Sequence, residues 1–192
     1  TTPTPQQQDR VIEFARLLHL SDDTTFDKQI DDILDVDHFL RVLAVHVLVC
    51  NLDSFLGSTQ NYYVYLDLES NKFQFIPWDM DHSFGAFPLV GTPETRRDLS
   101  IDHPGGKVHT LIERLLKISR YKMAYHEYLR TYMDTIFAEN KIHQQISNAA
   151  EFLRPLVSAN GRDSQDRFEK IVTDVSQAGE PHALKYFVSE RR

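Results

Sequence analysis

Residues 51–85 read NLDSFLGSTQNYYVYLDLESNKFQFIPWDMDHSFG, and this stretch predicts a β-hairpin with polar side chains at both of its ends. Residues 62–67 and 72–76 are rich in aromatic and β-branched residues with a period of two, and residues 69–71 between them are typical of a turn. Four oxygen-bearing side chains lie just outside the two strands: Asp53, Asn61, Asp79 and Asp81. Because carboxylates repel one another and lose solvation when they are gathered, the stretch predicts a cation or a substrate proton beside them.

Helical patterns flank the hairpin on both sides. Thr4 and Pro5 suit the cap and the first position of a helix, and Asp37 suits the cap of an apolar, buried helix that continues to residue 49. After Gly85, an irregular segment of about 20 residues is typical of functional loops. Further helices are predicted at residues 26–34, around residues 111–116, from a cap at Ser119 through Phe137, and at residues 142–157, 168–175 and 182–188. The predicted fold class is α+β, predominantly α.

Composition bounds the domain organisation and the class of partner. The 192 residues suffice for one core and show no evident linker between two domains. The 21 basic and 28 acidic residues give a net charge of −7, which argues against a nucleic-acid partner because phosphates need a basic face. The single cysteine, Cys50, lies in an apolar run and predicts a buried, unreactive thiol. No apolar run reaches the length of a membrane span, no signal peptide is evident, and residues 1–8 suggest a linker or the boundary of a longer chain.

The polar residues around the hairpin have ordinary interpretations when each is taken alone. An isolated Asp53 is typical of a cap or turn, and Asp79 with Asp81 is compatible with a turn or a loose Ca²⁺ loop, although EF-hand spacing is missing. The nearby histidines do not show the spacing of a zinc site. The joint occurrence of the oxygen-bearing residues around the hairpin favours a Mg²⁺ site, because Mg²⁺ prefers oxygen ligands. It also favours phosphoryl transfer, which needs such an ion and a carboxylate to orient the attacking hydroxyl.

The motifs also carry a resemblance. Asn51-x-Asp53, Asn61-Tyr-Tyr-Val-Tyr and Phe75-Ile-Pro-Trp-Asp-x-Asp-x-Ser-Phe-Gly85 closely resemble the spore-coat protein H (CotH) kinase family, and the likeness extends over residues 36–155. The Trp-Asp-x-Asp-x-x-Phe-Gly signature is its most specific part. The resemblance implies an atypical protein kinase that transfers phosphate from ATP to Ser or Thr of a partner protein. It also implies a secreted, cell-surface or spore-coat location in a bacterium.

The resemblance assigns a role to each residue of the candidate site. Asp53 would be the catalytic aspartate that orients the substrate hydroxyl or accepts its proton. Asp79 would be the principal metal ligand, supported by Asp81, with Asn61 helping to hold the metal. Trp78 could stack on the adenine of ATP, since indole offers a broad π face. The implied cofactors are ATP and Mg²⁺, with Mn²⁺ or Ca²⁺ as alternatives.

The sequence departs from the kinase pattern before residue 51. No glycine precedes Gly57 and the only lysine there is Lys28, whereas kinases need a phosphate-covering loop and a phosphate-pairing lysine in an amino-terminal lobe. The chain therefore resembles the C-terminal, C-lobe-like part of such a kinase, a single domain over residues 1–192, and we expect it alone to lack activity. Two alternatives remain open: a catalytically silent surface or coat binding module, and a metal-dependent phosphohydrolase.

Overall fold

The computed structural model describes residues 2–105, 109–173 and 183–191. Along the chain, these residues form helices before and after a two-stranded antiparallel sheet. This confirms the α+β class, in which helix predominates. The elements are α1 (Pro5–Leu20), α2 (Asp23–Ile33), α3 (Val36–Leu48), β1 (Tyr62–Asp67), β2 (Lys72–Pro77), α4 (Pro93–Arg97), α5 (Thr110–Lys117), α6 (Ser119–Asp134), α7 (Glu139–Ser158), α8 (Arg162–Val172) and α9 (Leu184–Glu190). Within the described ranges, no helix is both long and apolar enough to cross a membrane.

Helix α1 begins where the sequence predicts it. The Thr4 hydroxyl accepts from the Gln7 amide at 3.3 Å, the Gln7 side chain accepts from the Thr4 amide at 2.8 Å, and Pro5 occupies the first turn. This reciprocal capping satisfies donors that a free helix end leaves without partners. Residues 5–8 are therefore helical, although the sequence suggested a linker over residues 1–8.

Helix α3 is the central helix, but it begins earlier than predicted. Eight of its residues are buried, and it packs against α6 on one side and against β2 on the other. The predicted cap at Asp37 is wrong, because Asp35 caps the helix by accepting from the His38 amide at 3.1 Å. The Asp35 amide also donates to the Phe73 carbonyl at 2.9 Å, so the start of α3 is fixed by β2. Asp37 lies inside the helix and pairs with Arg41.

The hairpin follows the prediction closely. Tyr62 pairs with Pro77 and Asp67 pairs with Lys72 at the two ends of the ladder. Phe73 and Phe75 are buried, and the Phe75 ring meets Phe39 of α3 edge-on with centroids 5.0 Å apart. This inner face anchors the sheet to α3, so the chain segments before β1 and after β2 leave the hairpin beside the carboxyl end of α3.

The second half of the chain differs from the prediction in its details. The segment after Gly85 contains the short helix α4, which begins at a Thr92 capping box and was not predicted. Ser119 is not the cap of α6, because Ile118 occupies that position, and the helix ends before Phe137. Helix α7 confirms residues 142–157. Helix α8 begins before residue 168 and ends at residue 172, and part of the predicted 168–175 and 182–188 helices lies outside the described residues.

Candidate functional site

The candidate site begins at the carboxyl end of the buried helix α3. The Asn51 amide donates to the His46 carbonyl at 3.0 Å, and the Cys50 amide donates to the Val47 carbonyl at 3.2 Å. Cys50 takes a left-handed conformation with φ of 45°. These bonds form a Schellman cap, in which glycine usually occupies the left-handed position. The cap reverses the chain sharply and directs residues 51–53 back across the end of the helix.

Two further groups hold this helix end in place. The guanidinium of Arg191 donates to the carbonyls of Val47 at 3.0 Å, Arg97 at 2.7 Å and Leu99 at 2.7 Å. A cation at a helix carboxyl end is favourable because the last carbonyls carry partial negative charge. The Cys50 thiol donates to the Arg96 carbonyl at 2.6 Å, and burial raises its pKa to about 11. The thiol therefore stays protonated at neutral pH, which agrees with the unreactive cysteine expected from the sequence.

Asp53 is buried and held by its neighbours in the loop. Its side chain is 10% exposed. Its Oδ1 accepts from the Ser58 hydroxyl at 3.2 Å and from the side-chain amide of Gln60, and its main-chain amide donates to Asn51 Oδ1 at 3.1 Å. Because these bonds occupy Oδ1, the second carboxylate oxygen is the one presented to the segment that follows β2, where it lies 4.0 Å from His82 Nε2.

The loop that carries Asp53 requires glycine at one position. The amides of Gly57 and Thr59 both donate to the Ser54 carbonyl, and the Ser58 amide donates to the Leu52 carbonyl at 2.9 Å. A Cβ on Gly57 would lie 2.3 Å from that Leu52 carbonyl oxygen, which is closer than real contacts allow. The compact turn that positions Asp53 therefore depends on a residue without a side chain.

Asn61 and Trp78 extend the hairpin toward Asp53. The Asn61 side-chain amide donates to the main-chain carbonyl of Asp53 at 2.7 Å. The main-chain carbonyl of Asn61 accepts from the Trp78 amide at 3.0 Å. Asn61 therefore braces the loop in this structure through its NH₂ group. Trp78 is 58% exposed and meets the Tyr63 ring edge-on with centroids 5.8 Å apart, so a face of its indole is open to a ligand.

The segment after β2 brings a second carboxylate to Asp53. Ligand atoms of Asp53, Asp81 and His82 all lie within 4.8 Å of one another. Asp81 is exposed and His82 is half-buried. Asp79 is exposed, has a left-handed φ of 50°, and is not part of this group. Of the two ligands predicted after β2, the structure thus places Asp81 beside Asp53 and leaves Asp79 exposed to solvent.

The turn that carries these ligands is tied to the same helix end as Asp53. The Phe84 amide donates to the Val49 carbonyl, and the side-chain amide of Asn51 points at Met80 Sδ at 3.3 Å. Asn51 is fully buried. It therefore contacts both halves of the site, through Asp53 on one side and Met80 on the other. Residues in left-handed conformations recur here, including Cys50, Asn61, Asp79 and Phe84, and such strain concentrates at functional sites.

The donor set fits a divalent cation. An octahedral ion with ligands at about 2.1 Å sets neighbouring ligands about 3 Å apart and opposite ligands about 4.2 Å apart. The 4.0 Å separation between Asp53 Oδ2 and His82 Nε2 falls within that range, and Asp81 offers a ligand atom within 4.8 Å of those of both residues. Two carboxylates supply the hard oxygen ligands that Mg²⁺ and Mn²⁺ accept.

A cleft of about 690 Å³ opens beside this group. One wall consists of residues 80–84 with Ala86, and the opposite wall contains Arg167, Lys170 and Ile171 of α8 and the start of α9. The cleft therefore has the Asp81 carboxylate on one side and two basic side chains on the other. Such a distribution suits a ligand that carries phosphates bound to a metal ion.

Sequence reasoning missed three features of the site. His82 was set aside for want of zinc spacing, yet its place directly after Asp81 was a signal that could have been followed. Gln60 and Ser58, which hold Asp53, carry no signal in the sequence because their role depends on the path of the loop.

Comparisons with known proteins agree with the motifs. Invasin CotH7 of Rhizopus delemar is 28% identical over 160 residues, which cover 79% of this chain and 26% of that protein. Inner spore coat protein H of Bacillus subtilis is 28% identical over 147 residues, which cover 76% of this chain and 38% of that protein. Spore coat protein homolog 1 of Rhizopus delemar is 27% identical over 163 residues and has 26% of its length covered. The chain thus spans well under half the length of these relatives.

A family model described as CotH kinase protein matches residues 1–192, so it covers the helices, the hairpin and the whole candidate site. This match confirms the resemblance that the motifs around the hairpin indicate. The chain belongs to the CotH kinase protein family.

Proposed function

We propose that this chain carries the metal-binding and catalytic part of an atypical protein kinase, which transfers phosphate from ATP to Ser or Thr of a coat or surface protein. The observation that carries the proposal is the convergence of Asp53 and Asp81, which come from opposite sides of the hairpin and whose ligand atoms lie within 4.8 Å of each other. Bringing two carboxylates together is costly unless a cation offsets their repulsion. Membership of the CotH kinase family supplies the reaction class.

Asp53 has the surroundings of a residue that orients a hydroxyl group. Ser58 and Gln60 hold Oδ1, so the carboxylate has a fixed orientation and its other oxygen lies toward His82 in the turn after β2. In phosphoryl transfer the protein contributes positioning and electrostatic stabilisation, and a carboxylate in this role accepts the proton of the attacking hydroxyl. Because Oδ2 faces the turn after β2, a substrate hydroxyl bound there would meet Asp53 and the metal ligands together.

Asp81 and Asp79 would hold the metal ion that neutralises the ATP phosphates. Asp81 has a ligand atom within 4.8 Å of that of Asp53. Asp79 lies two residues earlier and is exposed, so it would bind the same ion from the solvent side. Bound Mg²⁺ usually keeps waters and phosphate oxygens in its shell, so few protein ligands suffice. The ion would supply charge stabilisation to the transferring phosphoryl group. Asn61 would support the site through the Asp53 loop rather than as a direct ligand.

The nucleotide would lie between the hairpin end and the α8 wall of the cleft. Arg167 and Lys170 line that wall and would attract the phosphates. The exposed indole of Trp78 would stack on the adenine. In this proposal the helices around α3 and the hairpin correspond to the C-lobe of a kinase. The names of the relatives, which come from both a bacterium and a fungus, support a location in a spore coat or at a cell surface.

A catalytically silent binding module is the second candidate. One relative is named an invasin. The outer face of the hairpin and the residue after it expose a group of large apolar side chains: Tyr63, Tyr65, Ile76 and Trp78. Exposed apolar patches of this kind mark interaction surfaces. A metal-dependent phosphohydrolase is the remaining alternative, because the same carboxylates could activate water instead of a protein hydroxyl.

Incubation of the full-length protein with γ-labelled ATP and a divalent metal separates the three functions. Labelling of the protein itself or of a coat or surface partner supports the kinase. Release of labelled phosphate without protein labelling supports the hydrolase. If neither occurs while the protein still binds a partner surface, the binding module is favoured and the catalytic proposal fails.

A further inference from the structure

We propose that His82 is a nitrogen ligand of the metal ion and makes the site prefer a divalent transition metal such as Mn²⁺ to Mg²⁺, an inference that rests on the proposed metal site. The imidazole Nε2 lies 4.0 Å from Asp53 Oδ2, and His82, Asp53 and Asp81 each offer a ligand atom that lies within 4.8 Å of the other two. The group therefore offers three donors to one ion, and one of the three is a nitrogen.

The chemistry of the three donors separates the two metals. Mg²⁺ requires near-ideal octahedral geometry, prefers oxygen ligands, and gives up its waters reluctantly. A first-row transition metal accepts imidazole more readily than Mg²⁺ does, because Mg²⁺ is the harder, oxygen-preferring ion; within the series Mn²⁺ gains least from a nitrogen ligand. Replacing one oxygen of the shell by the His82 nitrogen therefore costs Mg²⁺ a favoured ligand and gives Mn²⁺ an acceptable one.

The His82 ring is held where ligation needs it. It packs against Phe87 with ring centroids 5.6 Å apart, and Phe87 is buried. The ring is thus supported from one side, while its side chain remains 40% exposed and can accept an ion from solvent.

Next to it, Ser83 is 8% exposed and its hydroxyl has no hydrogen-bond partner among the described residues. Ser83 lines the same cleft as Asp81 and His82. A buried hydroxyl without a partner is costly unless a ligand or water satisfies it. A water in the shell of a metal ion at this site would supply that partner.

Direct metal binding to this chain tests the inference without an activity assay. Titrations of Mn²⁺ and of Mg²⁺ are compared between the wild type, His82→Asn and His19→Asn, whose exposed histidine lies in α1 and serves as the matched control. His82→Asn should weaken Mn²⁺ binding by about tenfold or more and should change Mg²⁺ binding by less than about threefold. Thermal melts by circular dichroism verify that each variant is folded.

Pulsed electron paramagnetic resonance of the Mn²⁺ complex gives a second readout. The wild type and His19→Asn should show the coupling of a ligated ¹⁴N nucleus, and His82→Asn should lack it. If Mn²⁺ binds but the ¹⁴N coupling is absent from the wild type, or if His82→Asn leaves Mn²⁺ affinity unchanged, His82 is not a ligand and the carboxylate site alone stands. If neither metal binds the wild type, the proposed metal site fails together with this inference.

Discussion

Acid should destabilise this fold through one buried histidine in the central helix. His46 is 3% exposed, and its Nδ1 has no hydrogen-bond partner among the described residues. Its neighbours around a small internal cavity include Phe55, Tyr62 and Pro77. Burial lowers the pKa of His46 from 6.5 to about 4, because an apolar setting disfavours the charged imidazolium. The histidine is therefore neutral in the folded protein at neutral pH.

The size of the effect follows from the two pKa values. Below the unfolded value of 6.5, the unfolded chain binds a proton at His46 and the folded chain does not, so stability falls as the pH falls. Each pH unit between the two pKa values costs about 1.4 kcal/mol. The loss should reach about 2 kcal/mol at pH 5 and about 3 kcal/mol at pH 4, relative to pH 7.5.

Urea unfolding at pH 7.5 and pH 5 measures the loss, with His46→Leu as the test variant and the same substitution at exposed His19 as the control. Carboxylates that titrate in this range contribute equally to all three proteins. His46→Leu should lose about 2 kcal/mol less than the wild type between the two pH values, and His19→Leu should behave as the wild type. An identical pH dependence in His46→Leu and the wild type would refute the reasoning.

Substitutions of Gly57, Arg191 and Asp81, with Gly161 as a control, test the scaffold and the metal site. Gly57→Ala should destabilise the fold by about 1–3 kcal/mol, because the new methyl group meets the Leu52 carbonyl oxygen. In the control Gly161→Ala the new Cβ has no atom within 4 Å. That substitution should cost about 1 kcal/mol, from the left-handed φ alone. Equal thermal melts for these two would contradict the steric argument. Arg191→Met should lower the free energy of unfolding by about 2–4 kcal/mol, because three carbonyls lose their donor, and a chemical melt that shows no change would contradict this. Asp81→Ala should weaken Mg²⁺ binding about tenfold or more, and an unchanged affinity by calorimetry would remove Asp81 from the site.

Local signals predict much of the fold. The cap at Thr4 with Pro5 after it, and the alternating strands of the hairpin, specify their elements from a few neighbouring residues, and the structure places them as expected. The cap of α3 was assigned to the wrong aspartate because Asp35 and Asp37 look equivalent in sequence. The choice between them is made by a distant contact, the bond from the Asp35 amide to the Phe73 carbonyl of β2.

The candidate site is predictable in its composition and not in its geometry. The motifs place carboxylates before β1 and after β2, and the structure brings Asp53 and Asp81 of these two segments within 4.8 Å of each other. Which oxygen faces which neighbour depends on left-handed residues such as Cys50 and Asn61, a conformation that side chains other than glycine rarely adopt. That backbone path brings His82 close to Asp53 and leaves Asp79 exposed. The spacing of residues in the sequence does not predict this path.

A comparison of Asp53→Asn with the wild type in the full-length protein tests whether this aspartate serves phosphate transfer. Transfer of label from γ-labelled ATP and calorimetric binding of metal–ATP are recorded for both, with Asp67→Asn in the hairpin turn as a matched control. At saturating metal–ATP, Asp53→Asn should lose about 10²–10⁴-fold in transfer rate, while the control keeps both the transfer rate and the affinity. Transfer at the wild-type rate in Asp53→Asn would show that this aspartate does not serve the reaction, and the account of the site would be wrong.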